Sequence, residues 1–219
     1  DKDLFPKDYI VALPRPSGYM GIYDFFDFGE GFTELDDDAP RPKEDVHIRS
    51  VILKGKENDE EDLLDAIRSF IISGAIKLYR KSKGENVATK HHTMLVHRSV
   101  RKDAHEEDFE TVTRLYKTLG IGKRQFYKGL EFLWEADFKF HSEKLKIYKT
   151  DAKTFEELVP FVDECITLMQ VHGKDIRVVN GDKKYADKLP NFDKERVWSI
   201  LIGGTKLSRG YTVEGLTIS

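Results

Sequence analysis

Apolar positions along this chain follow two alternating rhythms. From Asp59 to Lys81, residues Leu63, Leu64, Ile67, Phe70, Ile71, Gly74, Ala75 and Leu78 recur at three- and four-residue steps, which predicts a helix. Acids gather at its start and Lys77, Arg80 and Lys81 at its end, as the helix dipole favours; Gly84 closes it. Met94, Leu95 and Val96 predict a short core strand with His91 and His92 ahead of it. Helical spacing returns in Phe109, Val112, Leu115, Tyr116 and Leu119, and after the turn GIGKRQ in the apolar segment Phe126, Leu130, Phe132, Leu133 and Trp134. It returns again in Phe155, Leu158, Val159, Val162, Cys165, Ile166 and Met169, where Thr154 and Glu157 have the spacing of a capping box. Ile176 to Val179 predict a strand ending in Asn180-Gly181. Val197, Ile200, Leu201 and Ile202 predict a buried strand stopped by Gly203-Gly204, and Leu216 to Ile218 resume the apolar pattern.

Short apolar strands alternating with helices predict an α/β fold with a doubly wound, mainly parallel sheet over residues 59–219, carrying a helical insertion at about 103–170. Residues 1–58 read differently. Pro6, Pro14, Pro16, Pro40 and Pro42 exclude a long helix there and predict an extended arm. Tyr23, Phe25, Phe26 and Phe28 in that arm call for burial, on this domain or on a neighbouring one.

Composition narrows the class. The chain has 219 residues, 39% hydrophobic and 34% charged, with a net charge of -3, so no global positive field draws it to nucleic acid and any such binding uses local patches. Its single cysteine, Cys165, excludes an internal disulfide framework and a cysteine-based zinc site, and points to a reducing, cytoplasmic setting. Cys165 lies in an apolar helical pattern and reads as a buried thiol. No apolar run reaches the roughly 20 residues of a membrane span, and the amino end has no signal-peptide pattern. A chain that starts without Met and stops in mid-strand is expected to be a piece of something larger.

The candidate chemistry gathers where the predicted strands end. Thr205, Lys206, Ser208 and Arg209 bring two hydroxyls and two cations into five residues, and Gly210 follows where a side chain would obstruct close backbone approach. His97, Arg98 and Ser99 follow the Met94–Val96 strand, and Asn180 follows Val179. These are the positions where open α/β sheets mount ligand-binding groups, although an ordinary polar connection has the same composition. A second group lies in the helical region, where Lys128, Lys144 and Lys146 interleave with Tyr127, Phe138 and Phe140; alternating cations and rings suit single-stranded nucleic acid. No metal site is expected: the histidines lack HExxH spacing, and Asp36 to Asp38 read as a solvated turn. GIGKRQ fails as a phosphate-binding P-loop because Lys117 and Arg124 occupy the positions that need Gly and Ser or Thr.

The segment LIGGTKLSRGYTVEGLTIS resembles the most characteristic stretch of the Z-one domain family, found in bacterial proteins described as endonucleases and associated with superfamily-two helicase modules. TMLVHRS, the VVNG strand and the opening LFPKDYIVALPRPSGYMGIYDFF resemble further blocks of that family in the same order. Ser208 to Val213 is also similar to the helicase segment of the second RecA-like domain that faces ATP and nucleic acid. The resemblance implies a RecA-like sheet in which Thr205, Lys206, Ser208, Arg209, Gly210 and Thr212 line a nucleotide or phosphate cleft. It implies ATP and magnesium serving a full-length parent, with none held tightly by this piece. It also implies DNA and a preceding RecA-like ATPase domain as partners, and no ATP hydrolysis by this piece alone. Thr212 stands where helicases often carry an Asp toward the nucleotide, which leaves ribose recognition open. The alternative is a non-catalytic nucleic-acid-binding or docking module using the basic-aromatic helices; no Asp…Glu-x-Lys nuclease constellation stands out.

Overall fold

Strand β1, His91–Val96, begins three residues earlier than its apolar core predicts, because His91, His92 and Thr93 are themselves buried. Its parallel neighbour is β3, Val197–Gly203, in a register that sets His91 opposite Val197 and Val96 opposite Ile202. Beyond β3 lies β2, Ile176–Val179, and on the other side of β1 lies the short β4, Leu216–Ile218. The order is β2-β3-β1-β4 with every pairing parallel, which bears out the mainly parallel α/β reading. β3 is buried at all seven positions, so it reads as a continuous apolar run, as a strand covered on both faces does.

The computed structural model describes residues 59–97, 102–145, 148–179, 189–203 and 212–219, all within one compact unit, Ile52–Ser219. The extended arm expected over residues 1–58 lies outside the described residues.

Helices follow the predicted periodicity: α1, Asp59–Ser82; α2, Lys102–Thr118; α3, Arg124–Leu133; α4, Lys139–Leu145; and α5, Val159–Gln170. A π-helical turn, Trp134–Phe138, joins α3 to α4. The buried residues of α1, α2, α3 and α5 all join one core with Met94, Val96, Trp198, Ile200 and Ile202. Strand alternation sends Val179, Val197 and Leu201 to the opposite face, where they pack with Phe192 and are flanked by Leu95, Leu189 and Val213. Ile72, Ile76 and Tyr79, off the predicted stripe of α1, are buried as well, because α3 and α5 cover this helix as well as the sheet. Among the described residues no helix is long and apolar enough to cross a membrane.

The capping box read in Thr154 and Glu157 does not form. The Thr154 side chain makes no cap hydrogen bond, while Glu157 Oε2 accepts from the Lys153 backbone N–H at 2.9 Å and from the Tyr79 hydroxyl at 3.2 Å. Residues 155–157 form a single 3-10 turn, and α5 starts after it with proline in its first turn.

The connections run in both directions across the sheet. From β1 to β2 the chain moves in one direction across the sheet and passes over the helical face. From β2 to β3 and from β3 to β4 it moves the other way, and the described residues of these connections that pack on the sheet, Leu189, Phe192 and Val213, lie on the opposite face. Crossovers between parallel strands share one hand, and under that rule connections running in opposite directions lie on opposite faces. Among the described residues, the helices that share a core with the sheet lie on one face.

Candidate functional site

Two neighbouring strands whose connections run in opposite directions across the sheet open a crevice at their carboxyl ends. In this sheet those strands are β1 and β3. Their ends are joined by His97, whose Nδ1 lies 2.7 Å from the Gly203 carbonyl oxygen. A carbonyl only accepts, so Nδ1 carries the proton and Nε2 is turned away from this bond. Val179 ends β2 one strand further on, paired with Gly203.

The return of the chain after residues 204–211 is fixed by contacts at the amino half of β1. Thr93 donates its N–H to Gly215 O at 2.9 Å and its hydroxyl to Glu214 O at 2.9 Å. Gly215 has φ +69, and a Cβ there would stand 2.5 Å from the backbone oxygen of His91. Both the torsion and the contact exclude a side chain. Gly215→Ala is expected to detach β4 and lower the melting temperature by several degrees, because the obstacle is backbone and cannot rotate aside. A melting curve unchanged from that of the parent chain would refute this anchoring.

Behind β4 lies a buried polar network. His92 stacks on Phe70, with ring centroids 4.2 Å apart and planes 2° from parallel, and leans on Trp198 at 4.8 Å. Its Nε2 donates to Phe70 O at 2.8 Å, which leaves Nδ1 unprotonated, 3.0 Å from the Thr217 hydroxyl and 3.5 Å from Lys77 Nζ. Lys77 Nζ also donates to His91 O at 3.1 Å. Burial, helped by the Lys77 charge, pushes the His92 pKa down to about 3, and burial pushes that of Lys77 down as well. His91 accepts from the Val197 N–H through Nδ1 at 3.2 Å and faces Glu214 through Nε2 at 3.5 Å; burial and Lys90 lower its pKa although Glu214 opposes them.

Cys165 borders the same network, since a Cβ on Gly74 would meet its Sγ at 2.7 Å and His92 Nε2 at 2.9 Å. Burial raises the thiol pKa while lowering that of the imidazole, the reverse of what a thiolate-imidazolium nucleophile requires. Together with its complete burial, this agrees with the structural reading of Cys165.

Of the residues singled out in the sequence, His97 is placed at the crevice, and Thr212 is exposed just before the Glu214–Gly215 anchor. Arg98, Ser99, Asn180, Thr205, Lys206, Ser208, Arg209 and Gly210 lie outside the described residues, but their segments leave the sheet from Val96, Val179 and Gly203, which the topology brings to one edge. Lys128 is exposed on α3, in the helical layer; Lys144 belongs to α4, and Lys146 lies outside the described residues. Tyr127 and Phe138 are not free rings. Tyr127 donates to Asp163 at 2.5 Å, and both pack against the core. Sequence reasoning missed the roles of His92, Thr217 and Gly215; a histidine pair at the start of an apolar run was the available signal. Among the described residues no group of three or more His, Cys, Asp or Glu converges in a way that could hold a metal ion.

No curated protein and no solved structure matches the chain significantly. The family model of the Z1 domain matches residues 62–219, which takes in every strand of the sheet and nearly all of α1. With well over half of its length matched, the chain belongs to the Z1 domain family.

Proposed function

We propose that residues 59–219 act as the second RecA-like domain of an ATP-dependent, DNA-acting motor in a bacterial restriction or defence protein of the helicase-like, endonuclease-associated kind. The ligand of this domain is a nucleotide phosphate or a nucleic-acid backbone, docked at the carboxyl edge between β1 and β3. The observation that carries the reading is the reversal of connection direction between these strands, bridged by the His97–Gly203 hydrogen bond. In this reading the candidates are Thr205, Lys206, Ser208, Arg209 and Gly210, which follow Gly203 in the chain, His97, Arg98 and Ser99, which follow β1, and Asn180, which follows β2.

Phosphoryl transfer depends on positioning and charge stabilisation, so a Lys and an Arg from this half act only when the preceding ATPase half is in place. In this reading ATP and magnesium serve the full-length parent. The isolated chain is expected to hydrolyse no ATP. Binding to DNA oligonucleotides at two salt concentrations tests the cleft. Arg209→Ala should weaken binding and flatten its salt dependence by about one charge. DNA binding indifferent to Arg209, or robust metal-dependent ATPase activity from this chain alone, would overturn the proposal.

A further inference from the structure

Helix α3 opens with cations at the end where a helix already carries positive partial charge: Lys123 precedes it, Arg124 begins it, and its first turn holds no acid. Arg124 and, one turn on, Lys128 are exposed, and among the described residues neither takes part in an ion pair or hydrogen bond. Elsewhere in the helical layer Arg68 pairs with Asp65, Arg114 with Glu60 and Lys139 with Glu135, while Lys81 and Lys117 are single exposed cations with no exposed ring beside them among the described residues of their helices. Two large rings on the same run also face water, Phe132 at 76% and Phe140 at 61% exposure.

The π-helical turn decides where these rings point. In an uninterrupted α-helix, 16 residues from Arg124 to Phe140 would turn the ring to about 160° from Arg124, on the opposite side. The turn at Trp134–Phe138 inserts one residue into the ladder, which brings Phe140 back to about 60° from Arg124, with Lys128 at about 40° and Phe132 at about 80°. Arg124, Lys128, Phe132 and Phe140 therefore share one exposed face, with the two rings about 10 Å apart along the axis. Glu135 lies on this face close to the angle of Arg124 and is paired with Lys139, while Glu131 is exposed beside Phe132.

We infer that this face binds single-stranded nucleic acid, Arg124 and Lys128 taking phosphates while Phe132 and Phe140 stack on bases. Exposed cations followed by exposed rings, of which Phe140 touches the His141 ring only edge-on, complement a chain that alternates phosphate and base. Two rings among charged neighbours are too little apolar surface for a stable protein interface, which covers about 800 Å² on each partner. The stripe is independent of the carboxyl-edge cleft. It also differs from the cluster read in the sequence, because Tyr127 and Phe138 leave it and Phe132 joins.

The test is fluorescence anisotropy with a labelled oligo(dT) and a hairpin duplex of equal length, at low salt. Phe132→Ala and Phe140→Ala should each weaken oligo(dT) binding about tenfold and leave duplex binding unchanged. Phe132→Trp should keep the affinity and add an emission that oligo(dT) quenches. Arg209→Ala, run alongside, reports on the carboxyl edge alone, so the two proposals fail separately. The inference is overturned if the wild-type chain does not bind oligo(dT), or if the double alanine variant, with a native circular dichroism spectrum, binds it undiminished. Equal losses on both oligonucleotides would also overturn it, as would a wild-type dimer that the double variant dissolves without any effect on oligo(dT).

Discussion

Acidification should cost this chain about 1.4 kcal/mol of stability per pH unit from His92 alone, beginning near pH 6.5. The ring is fully buried between Phe70 and Trp198, donates Nε2–H to a carbonyl, and stands beside the Lys77 ammonium, so the fold holds it neutral down to about pH 3. The unfolded chain takes up the proton at the ordinary histidine pKa. Between these limits the unfolded state binds a proton that the folded state refuses, and stability falls as pH falls. The contribution is complete above pH 6.5 and is lost progressively toward pH 3. His91, whose pKa is also lowered, acts in the same direction. Urea unfolding at pH 7.5, 6 and 5, for the parent chain and for His92→Phe, measures the effect. The phenylalanine ring retains the stack on Phe70 and cannot titrate, so its stability should depend less steeply on pH. Parallel pH profiles for the two chains would sink the assignment. Because Thr217 bonds to the same imidazole, acid should loosen β4 first, and with it the chain that closes the 204–211 segment.

Removing Glu195 should lower stability by about 3 kcal/mol, in a different pH window. Its carboxylate binds three groups: Lys174 Nζ at 2.8 Å, Arg177 at 2.9 Å and the Asn191 N–H at 3.0 Å. Burial alone would raise its pKa, but Lys174, the Asn191 N–H and Arg177 together outweigh burial and hold it at about 2. A depressed carboxylate stabilises above its ordinary pKa, near 4.5, and that contribution disappears as pH falls toward 2. Arg177 is the reason for the size of the effect. Its side chain is 5% exposed on β2, and Glu195→Ala would leave that guanidinium buried without its counter-charge. Thermal melts of Glu195→Ala and of the double variant Glu195→Ala/Arg177→Met separate the two contributions. The double variant should recover much of the loss, since it removes the stranded charge as well as its partner. Equal destabilisation of both variants would show that the stranded Arg177 is not the cause.

Much of the architecture was legible before any coordinates. Helices α1, α2 and α5 follow a 3.6-residue period because each faces a single apolar layer on at least one side, and β3 reads as an apolar run because both of its faces are covered. The start of β1 was not legible. Histidine carries no intrinsic mark of burial, and only Phe70 from α1 and Trp198 from β3, brought in from distant parts of the chain, make a neutral imidazole there favourable. The same holds for the aromatic-cation cluster. Spacing nominated Tyr127 and Phe138, whereas Asp163 on α5 ties the first and the core takes up the second. Phe132, counted with the apolar segment, turned out to face water.

Sequence by itself determined which stretches are helix or strand, that the sheet is mainly parallel, and which short segments carry hydroxyls and cations, because periodicity and composition are local properties. Tertiary structure alone decided that β1 and β3 are neighbours whose connections run in opposite directions, and that His97 therefore meets Gly203 across 106 residues of sequence. Strand order depends on which apolar faces bury one another, and a π turn inside a helix changes a surface without changing the pattern that precedes it. Neither is written in the spacing of any one segment.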